Sequence, residues 1–254
     1  ENVRRAGKGL LIDLDNGYSI AIHIKLTGQL IYQGPDYPKD AELSVKVGGK
    51  LPNKWTHVIF KLKSQNSKVK TENAYLYYND LRQFGWIKIV RTDGVGALPF
   101  FKELGPEPPV VETLGGRPFN GLTLEKFREI VGKSGTKIKP LLMDQKKIGG
   151  VGNIYANDAL WLSKIDPRRS SKTLSPVEQR KLYEAILEVL KRGLKYGGAS
   201  EINFVNALGQ EGGYQKHFLA YAQQGKKCQR NDGGVMQKIA LGGRGTYFCA
   251  SCQK

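Results

Sequence analysis

The sequence predicts an α+β fold with an amino-terminal β-sandwich, a helical domain and a carboxy-terminal metal-binding β-hairpin. Three observations support this class. Short apolar runs with partial two-residue alternation fill residues 1–100, helical periodicity replaces them after a stretch rich in proline and glycine, and all 3 cysteines lie within residues 225–254. A chain of 254 residues, 40% of them hydrophobic, is long enough to form more than one core.

The β-sandwich is expected to occupy residues 1–104. Residues 10–14, an Asp-Asn-Gly turn and residues 18–24 predict a hairpin, and further strands are predicted at 30–33, 57–62, 74–78 and 86–90. Short strands with polar turns are typical of a sandwich or a barrel. The sequence enters a strand at once, without an initial Met, so we expect the sandwich to be incomplete.

A linker is expected at residues 105–121, where prolines and glycines cluster. The helical domain is then expected at 122–224 and the hairpin at 225–254. The predicted helices run from a Thr123 cap to 131, from Pro140 onward, from 153 to 163, and from a Ser175 cap to 196, where two glycines end the helix.

The charge indicates a polyanionic partner. Lys and Arg number 40 against 23 Asp and Glu, a formal net charge of +17. The positive electrostatic field of such a charge favours binding to nucleic acid first and to an anionic membrane second. A soluble basic protein that binds neither partner is the plain alternative. No apolar run approaches the about eighteen residues that a membrane span needs, so no span is expected. No signal peptide is visible, and clustered cysteines favour a metal in a reducing compartment.

The cysteine pattern predicts one structural zinc ion in a ribbon. Cys249 and Cys252 form one C-x-x-C knuckle, and Cys228 begins the other. The second knuckle departs from the pattern because position 231 is Asn. Asp232 is the expected fourth ligand, since a carboxylate can bind zinc. Two alternatives stay open: three protein ligands with water, or a hairpin that holds no metal.

A glycine turn at residues 149–152 predicts a phosphate site. Glycines allow close backbone approach, and Asn153 begins a helix whose free N–H groups favour an anion. Lys139 and Arg244 are candidate cations for the same phosphate. Taken alone, the turn is more typical of an ordinary corner between two helices than of a phosphate site.

Several motifs together resemble the formamidopyrimidine-DNA glycosylase and endonuclease VIII family. They occur in the order of that family: Lys8 in RRAGKGLL, HIKLTGQL at 23–30, DLRQFG at 80–85, LGPEP at 104–108, IKPLLMDQ at 138–145, GGVGNIYA at 149–156 and the cysteine hairpin at 242–253. The segment 197–207 resembles the loop that closes over 8-oxoguanine, which favours the formamidopyrimidine branch.

The resemblance implies a role for each matching residue. Lys139, Asn153 and Arg244 match the residues that bind phosphates around a nucleotide flipped out of the duplex. Lys8 matches a lysine that holds a backbone phosphate and assists the lesion chemistry.

A second group matches the side chains inserted into the gap that the flipped base leaves. They are Leu26, Arg82 and Phe84, and the family usually has Met where Leu26 stands. Apolar side chains and a planar guanidinium can replace lost base stacking. For Leu26 and Phe84, packing in the core is the structural alternative.

The resemblance therefore implies an enzyme of base-excision repair that acts on oxidised purines in duplex DNA and nicks the abasic site by β,δ-elimination. The family's nucleophile is the amine of an amino-terminal Pro-Glu, which this sequence does not show, so we expect the 254 residues alone to lack that step. Two other functions stay open, a non-catalytic module that binds damaged DNA and an oxidised-pyrimidine glycosylase. We expect a monomer without a membrane partner, in the bacterial cytoplasm.

Overall fold

The computed structural model describes residues 2–62, 73–110 and 121–254. They form two compact units, each assembled from separate stretches of chain. The first unit contains residues up to 20, 89–192 and 217–254, and the second contains 21–88 and 193–216. The predicted α+β class, with β-sheets, a helical domain and a terminal hairpin, is confirmed.

A four-stranded sheet begins the chain. Its strands are β1 (Asn2–Ala6), β2 (Gly9–Asp13), β3 (Tyr18–His23) and β7 (Trp86–Arg91), in the order β1-β2-β3-β7. β1 and β2 pair antiparallel around a tight turn in which Gly7 has a φ of +58°. The predicted hairpin of the second and third strands is present. β3 and β7 each run from one unit into the other.

A three-stranded antiparallel sheet lies in the second unit. It contains β4 (Gly28–Gln33), β5 (Thr56–Leu62) and β6 (Ala74–Asp80), in the order β4-β6-β5. One apolar cluster of this unit joins strand residues to the later segment 193–216 through Ile31, Val47, Leu51, Tyr77 and Val205. Burial of these side chains away from water anchors the later segment on the sheet.

The helices are α1 (Pro99–Lys102), α2 (Leu124–Lys133), α3 (Ile138–Met143), α4 (Asn153–Leu162) and α5 (Pro176–Lys195). Thr123 caps α2, as predicted, because its hydroxyl accepts from the backbone N–H of Lys126 at 3.2 Å. α3 begins two residues before Pro140, since the first helical turn tolerates a residue without an N–H. The sequence did not predict the single-turn α1.

The carboxy-terminal hairpin is formed by β8 (Met236–Leu241) and β9 (Arg244–Cys249), paired antiparallel. In the same unit, α4 is almost entirely buried beyond its first turn. The buried carboxylate of Asp158 accepts from the backbone N–H groups of Leu219, Ala220 and Tyr221 at 3.2, 2.8 and 2.9 Å. These bonds satisfy a buried charge and fasten the chain that leads to the hairpin.

Among the described residues, no helix has the length and hydropathy required to cross a membrane. The central part of the predicted linker, residues 111–120, lies outside the described residues.

Candidate phosphate-binding face, wedge and metal centre

The glycine turn before α4 is shaped by the side chain of Gln145. Its Oε1 accepts from the N–H of Gly150 at 3.0 Å, and its Nε2 donates to the carbonyl of Val151 at 2.8 Å. Gly150 has a φ of +84°, which only glycine adopts without strain. No side chain caps the helix at its N-cap residue, Gly152. The N–H groups of the first turn of α4 are therefore not taken up by a side-chain cap and suit an anion.

Lys8 lies beside this turn. A Cβ atom at Gly152 would be 3.4 Å from the Nζ of Lys8, so the ammonium approaches the backbone closely at this point. A Cβ at Gly149 would lie 2.7 Å from the carbonyl oxygen of Gly105, a distance that excludes any other residue. The fold thus brings the predicted lysine from the start of the chain to the predicted phosphate turn.

Lys139 is buried between α3 and the hairpin rather than exposed at the turn. Its Nζ donates to the carbonyl of Gly245 at 2.7 Å and to the hydroxyl of Thr246 at 2.8 Å. Burial, with a smaller contribution from the charge of Arg244, lowers the pKa of Lys139 to about 7. The amine therefore holds the start of β9, where Arg244 is exposed.

Asn157 connects α4 to the same strand, and the sequence did not single it out. Its Nδ2 donates to the carbonyl of Asn153 at 2.7 Å, and its Oδ1 accepts from the N–H of Tyr247 at 2.7 Å. One partner, Asn153, is itself a predicted phosphate ligand. The other, Tyr247, lies on β9 close to the predicted ligand Arg244. Only its position, one turn after Asn153 on a helix, could have indicated this role.

The second unit carries the three predicted inserted side chains on its surface. Leu26 is 46% exposed and Phe84 is 56% exposed, so the alternative of core packing is wrong for both. The guanidinium carbon of Arg82 lies 4.8 Å from the ring centroid of Phe84. We call Leu26, Arg82 and Phe84 the wedge. Exposed apolar and planar groups of this kind are suited to replace base stacking.

The predicted metal ligands come together at the base of the hairpin. The three Sγ atoms of Cys228, Cys249 and Cys252 and a carboxylate oxygen of Asp232 all lie within 4.8 Å of one another. The cysteines are free thiols, so no disulfide competes for them. Asn231 adopts a left-handed φ of +55°, and this turn brings the following residue, Asp232, into the cluster. The four side chains form a group that can hold a metal ion.

One side chain at this centre, the carboxylate of Asp232, carries a charge that suits a cation. A hydrogen bond from the backbone N–H of Gly234 lowers the pKa of Asp232 to about 2, so its carboxylate is ionised at neutral pH. Burial raises the pKa of Cys228 and that of Cys252. Because thiolates are the ligands, metal binding must release protons from these thiols.

The net positive charge, the uncapped helix terminus beside a lysine, the exposed wedge and the metal-ligand group define a nucleic-acid-binding protein. The chain belongs to the formamidopyrimidine-DNA glycosylase family, whose members are enzymes of DNA repair. The model of that family's N-terminal domain matches residues 1–87, and the model of its H2TH domain matches residues 104–204.

Relatives and solved structures agree over almost the whole chain. The formamidopyrimidine-DNA glycosylase of Pelotomaculum thermopropionicum is 38% identical over 252 residues, which cover 99% of this chain and 80% of that protein. The complex of Lactococcus lactis Fpg with DNA containing an abasic site has a TM-score of 0.77 and 31% identity, covering 99% of this chain and 80% of that one. The complex of a point mutant of the same Fpg with DNA containing Fapy-dG also has a TM-score of 0.77, with 31% identity, and covers 99% of this chain and 81% of that one.

Proposed function

We propose that this protein recognises oxidised purines, namely 8-oxoguanine and formamidopyrimidines, in duplex DNA. It excises them and cleaves the resulting abasic site by β,δ-elimination. The observation that carries the proposal is the position of Lys8 beside the turn that precedes α4, with its Nζ 3.4 Å from where a Cβ atom at Gly152 would lie. The Lactococcus lactis complexes with abasic-site and Fapy-dG DNA support the substrate class.

Three residues of the first unit are proposed to bind phosphates around the flipped nucleotide. Asn153 supplies its side-chain amide at the start of α4, and Arg244 supplies an exposed guanidinium at the start of β9. Lys139 lies behind them and donates to the residues that follow Arg244. Lys8 acts at the lesion itself, where it holds a backbone phosphate and assists the lesion chemistry.

The wedge is proposed to fill the gap in the base stack. Leu26 and Phe84 offer apolar surface, and Arg82 offers a planar cation that can stack or donate to the unpaired base. Extrusion of a base loses stacking and pairing energy of a few kcal/mol, which inserted side chains can offset. A wedge exposed before DNA arrives suits this role.

The segment 197–207 supports the formamidopyrimidine branch by its resemblance to the loop over 8-oxoguanine. Gln29 Nε2 donates to the carbonyl of Asn203 at 2.8 Å, and Val205 is buried in the core of the second unit. The loop is therefore anchored at its centre, while the Ile202 side chain remains 56% exposed for contact with a ligand.

Zinc is the proposed ion of the metal centre, held by Cys228, Asp232, Cys249 and Cys252. Three thiolates and one carboxylate provide a closed four-ligand set of the kind that structural zinc sites use. The ion would supply no chemistry to the reaction, and its role is to hold the hairpin that carries Arg244.

We further propose the domain bounds 1–104, 105–121, 122–224 and 225–254, a monomeric state, and a location in the bacterial cytoplasm in association with DNA. Double-stranded damaged DNA is the proposed partner.

The test uses the protein expressed from its complete reading frame. Duplexes containing 8-oxoguanine, a formamidopyrimidine, an oxidised pyrimidine or no lesion are incubated with it, with and without borohydride. We expect strand cleavage and a trapped covalent complex mainly for the two purine lesions, because an amine that attacks C1′ forms a reducible Schiff base. Tight lesion binding without cleavage would identify a non-catalytic module, and preference for the pyrimidine lesion would overturn the substrate class.

Lys8→Ala tests the lysine in the same assay, with the exposed Lys50→Ala as the matched control. We expect slower cleavage for Lys8→Ala only, with the covalent complex still formed. Loss of trapping in Lys8→Ala would instead make Lys8 the nucleophile.

A further inference from the structure

The carboxylate of Asp80 lies at the end of β6, only 1% exposed, and is surrounded by donors from the wedge region. It accepts from the Thr27 hydroxyl at 2.5 Å, the Gly85 N–H at 2.8 Å, and the Arg82 N–H and Tyr78 hydroxyl at 3.3 Å each. A buried carboxylate is stable only when it is hydrogen-bonded in this way. Asp80 therefore ties together both ends of the segment that carries Arg82 and Phe84.

Thr27 joins this carboxylate to the other half of the wedge. Its hydroxyl donates to Asp80 and also accepts from the backbone N–H of Arg82 at 3.1 Å. Leu26 immediately precedes Thr27 in the chain. One buried hydroxyl thus links the turn that carries Leu26 to the loop that carries the other two wedge residues.

Gly85 closes the network at its far side. A Cβ atom there would lie 1.9 Å from the Tyr78 hydroxyl and 3.0 Å from the Asp80 carboxylate, so only glycine fits. Phe84 directly precedes this residue, and its direction depends on how Gly85 is held. Burial raises the pKa of Asp80, but the hydrogen bonds from Thr27, Gly85, Arg82 and Tyr78 outweigh it and leave the pKa lowered. The carboxylate is therefore ionised and acts as an acceptor at neutral pH.

We propose that Thr27 and Asp80 are positioning residues that hold the wedge in its inserting arrangement before DNA binds. This inference rests on the wedge role in the proposed function. Side chains that become ordered only on binding lose conformational entropy at that step, so a wedge held in place beforehand inserts at lower cost. Neither residue needs to touch DNA, because each acts through the backbone next to a wedge side chain.

The chain offers a matched control for Thr27 in the same unit. The hydroxyl of Thr56 donates to Oδ1 of Asn79 at 2.7 Å and accepts from the N–H of Asn53 at 2.9 Å. Thr56→Val and Thr27→Val therefore remove the same group with the same double hydrogen bonding. The Thr27 hydroxyl is bonded to the backbone N–H of a wedge residue, Arg82. The partners of the Thr56 hydroxyl, Asn79 and Asn53, are not wedge residues. Thr27→Ser keeps the hydroxyl and is the rescue variant.

The experiment measures base extrusion on an 8-oxoguanine duplex with 2-aminopurine next to the lesion, whose fluorescence rises when stacking is lost. We expect Thr27→Val to slow this rise about tenfold, which equals about 1.4 kcal/mol. With Thr27→Ser and with Thr56→Val, the fluorescence should rise at the wild-type rate. Amide hydrogen exchange over residues 81–85, without DNA, should become faster in Thr27→Val and stay unchanged in Thr56→Val.

Two outcomes of these measurements would overturn the inference. If Thr27→Val matches Thr56→Val in stability, exchange and extrusion, the network only stabilises the fold and the inference is overturned. If the wild-type protein gives no fluorescence rise with lesion DNA, the wedge role fails and this inference fails with it. Tyr78→Phe, which removes one 3.3 Å bond to Asp80, is a milder variant should Thr27→Val not fold. It should accelerate exchange at Gly85 and slow extrusion by a smaller factor.

Discussion

The Nζ of Lys139 lies 2.8 Å from the hydroxyl oxygen of Thr246, in a contact that fastens α3 to β9. The lysine is fully buried, and its second bond, to the carbonyl of Gly245, reaches the residue directly after Arg244. A buried ammonium beside another cation loses its proton easily, which is why the pKa of Lys139 falls to about 7. This amine therefore changes its charge near neutral pH, next to a proposed phosphate site.

The first prediction is that DNA binding takes up a proton at Lys139. At pH 8 the amine is mostly neutral in the free protein, and a nearby phosphate raises its pKa because it stabilises the charged form. Calorimetric titration with an abasic-analogue duplex, in two buffers of different ionisation enthalpy, should show uptake of a fraction of a proton. Lys139→Met should show less uptake. Equal uptake by both proteins would remove Lys139 from the phosphate site.

The second prediction concerns stability and pH. The folded pKa of Lys139, about 7, lies below the ordinary lysine value of 10.5, so the unfolded state holds more protons between these values. The contribution of Lys139 to the free energy of unfolding should therefore rise with pH across that window. Denaturant unfolding of wild type and Lys139→Met at pH 6.5 and pH 9.5 measures this. The free energy of unfolding of wild type relative to that of Lys139→Met should be larger at pH 9.5 than at pH 6.5. An equal difference between the two proteins at both pH values would contradict the lowered pKa of Lys139.

The third prediction concerns Asn153. Its carbonyl and side-chain oxygen face Asn157 Nδ2 at 2.7 and 3.3 Å, an arrangement that orients the amide at the start of α4. Asn153→Ala should weaken binding to an abasic-analogue duplex by about 1.5–3 kcal/mol, as for a hydrogen bond to a charged group. Asn16→Ala, in an exposed turn, is the control and should bind normally. A loss of thermal stability without a loss of affinity per folded molecule would make Asn153 structural.

The fourth prediction concerns Arg244. Each phosphate that a protein neutralises releases counterions, so the slope of log K against log salt should become less negative by about 0.9 in Arg244→Ala. Arg192→Ala removes the same charge from α5, where the guanidinium pairs with Glu188 at 3.4 Å. It should leave the slope unchanged. Identical slopes for the two variants would mean that Arg244 contributes only to the overall charge.

The sequence predicted most of the elements because their local signals agree with the fold. The Thr123 cap, the glycines at the end of α5 and the alternation of β3 each depend on nearby residues alone. The short α1 lacks such a signal, since four residues cannot show a helical period.

Long-range contacts set the limit on predicting the site. The residues at the glycine turn were recognisable, but only the fold shows that Lys8 reaches Gly152 and that Lys139 is buried under the hairpin. Polar residues whose partners are distant in the sequence show this limit. Thr27 and Asp80, which are bonded to each other, lie 53 positions apart. Asn157 and its partner Tyr247 lie 90 positions apart. No spacing rule connects such pairs.

The last prediction concerns the metal centre. Asp232 directly follows the position where the pattern places a fourth cysteine, and its carboxylate oxygens lie 3.5 and 3.7 Å from the Sγ of Cys249. Purified protein should contain about one zinc ion per chain, because four ligands close a structural site. Asp232→Ala should lose zinc to a chelator faster than wild type, since one ligand is missing. Asp232→Cys, which restores a fourth thiolate, should retain zinc at least as well as wild type.

The neighbouring Asn231→Ala is the control, because thiolates, imidazoles and carboxylates are the usual ligands of zinc and a neutral amide is not. Metal content, measured by mass spectrometry after dialysis against chelator, compares the variants directly. Zinc binding should also weaken as the pH falls, since protons compete for the thiolates of Cys228, Cys249 and Cys252. Equal zinc content in Asp232→Ala and Asn231→Ala would remove the carboxylate from the ligand set and leave three thiolates with water at the fourth position.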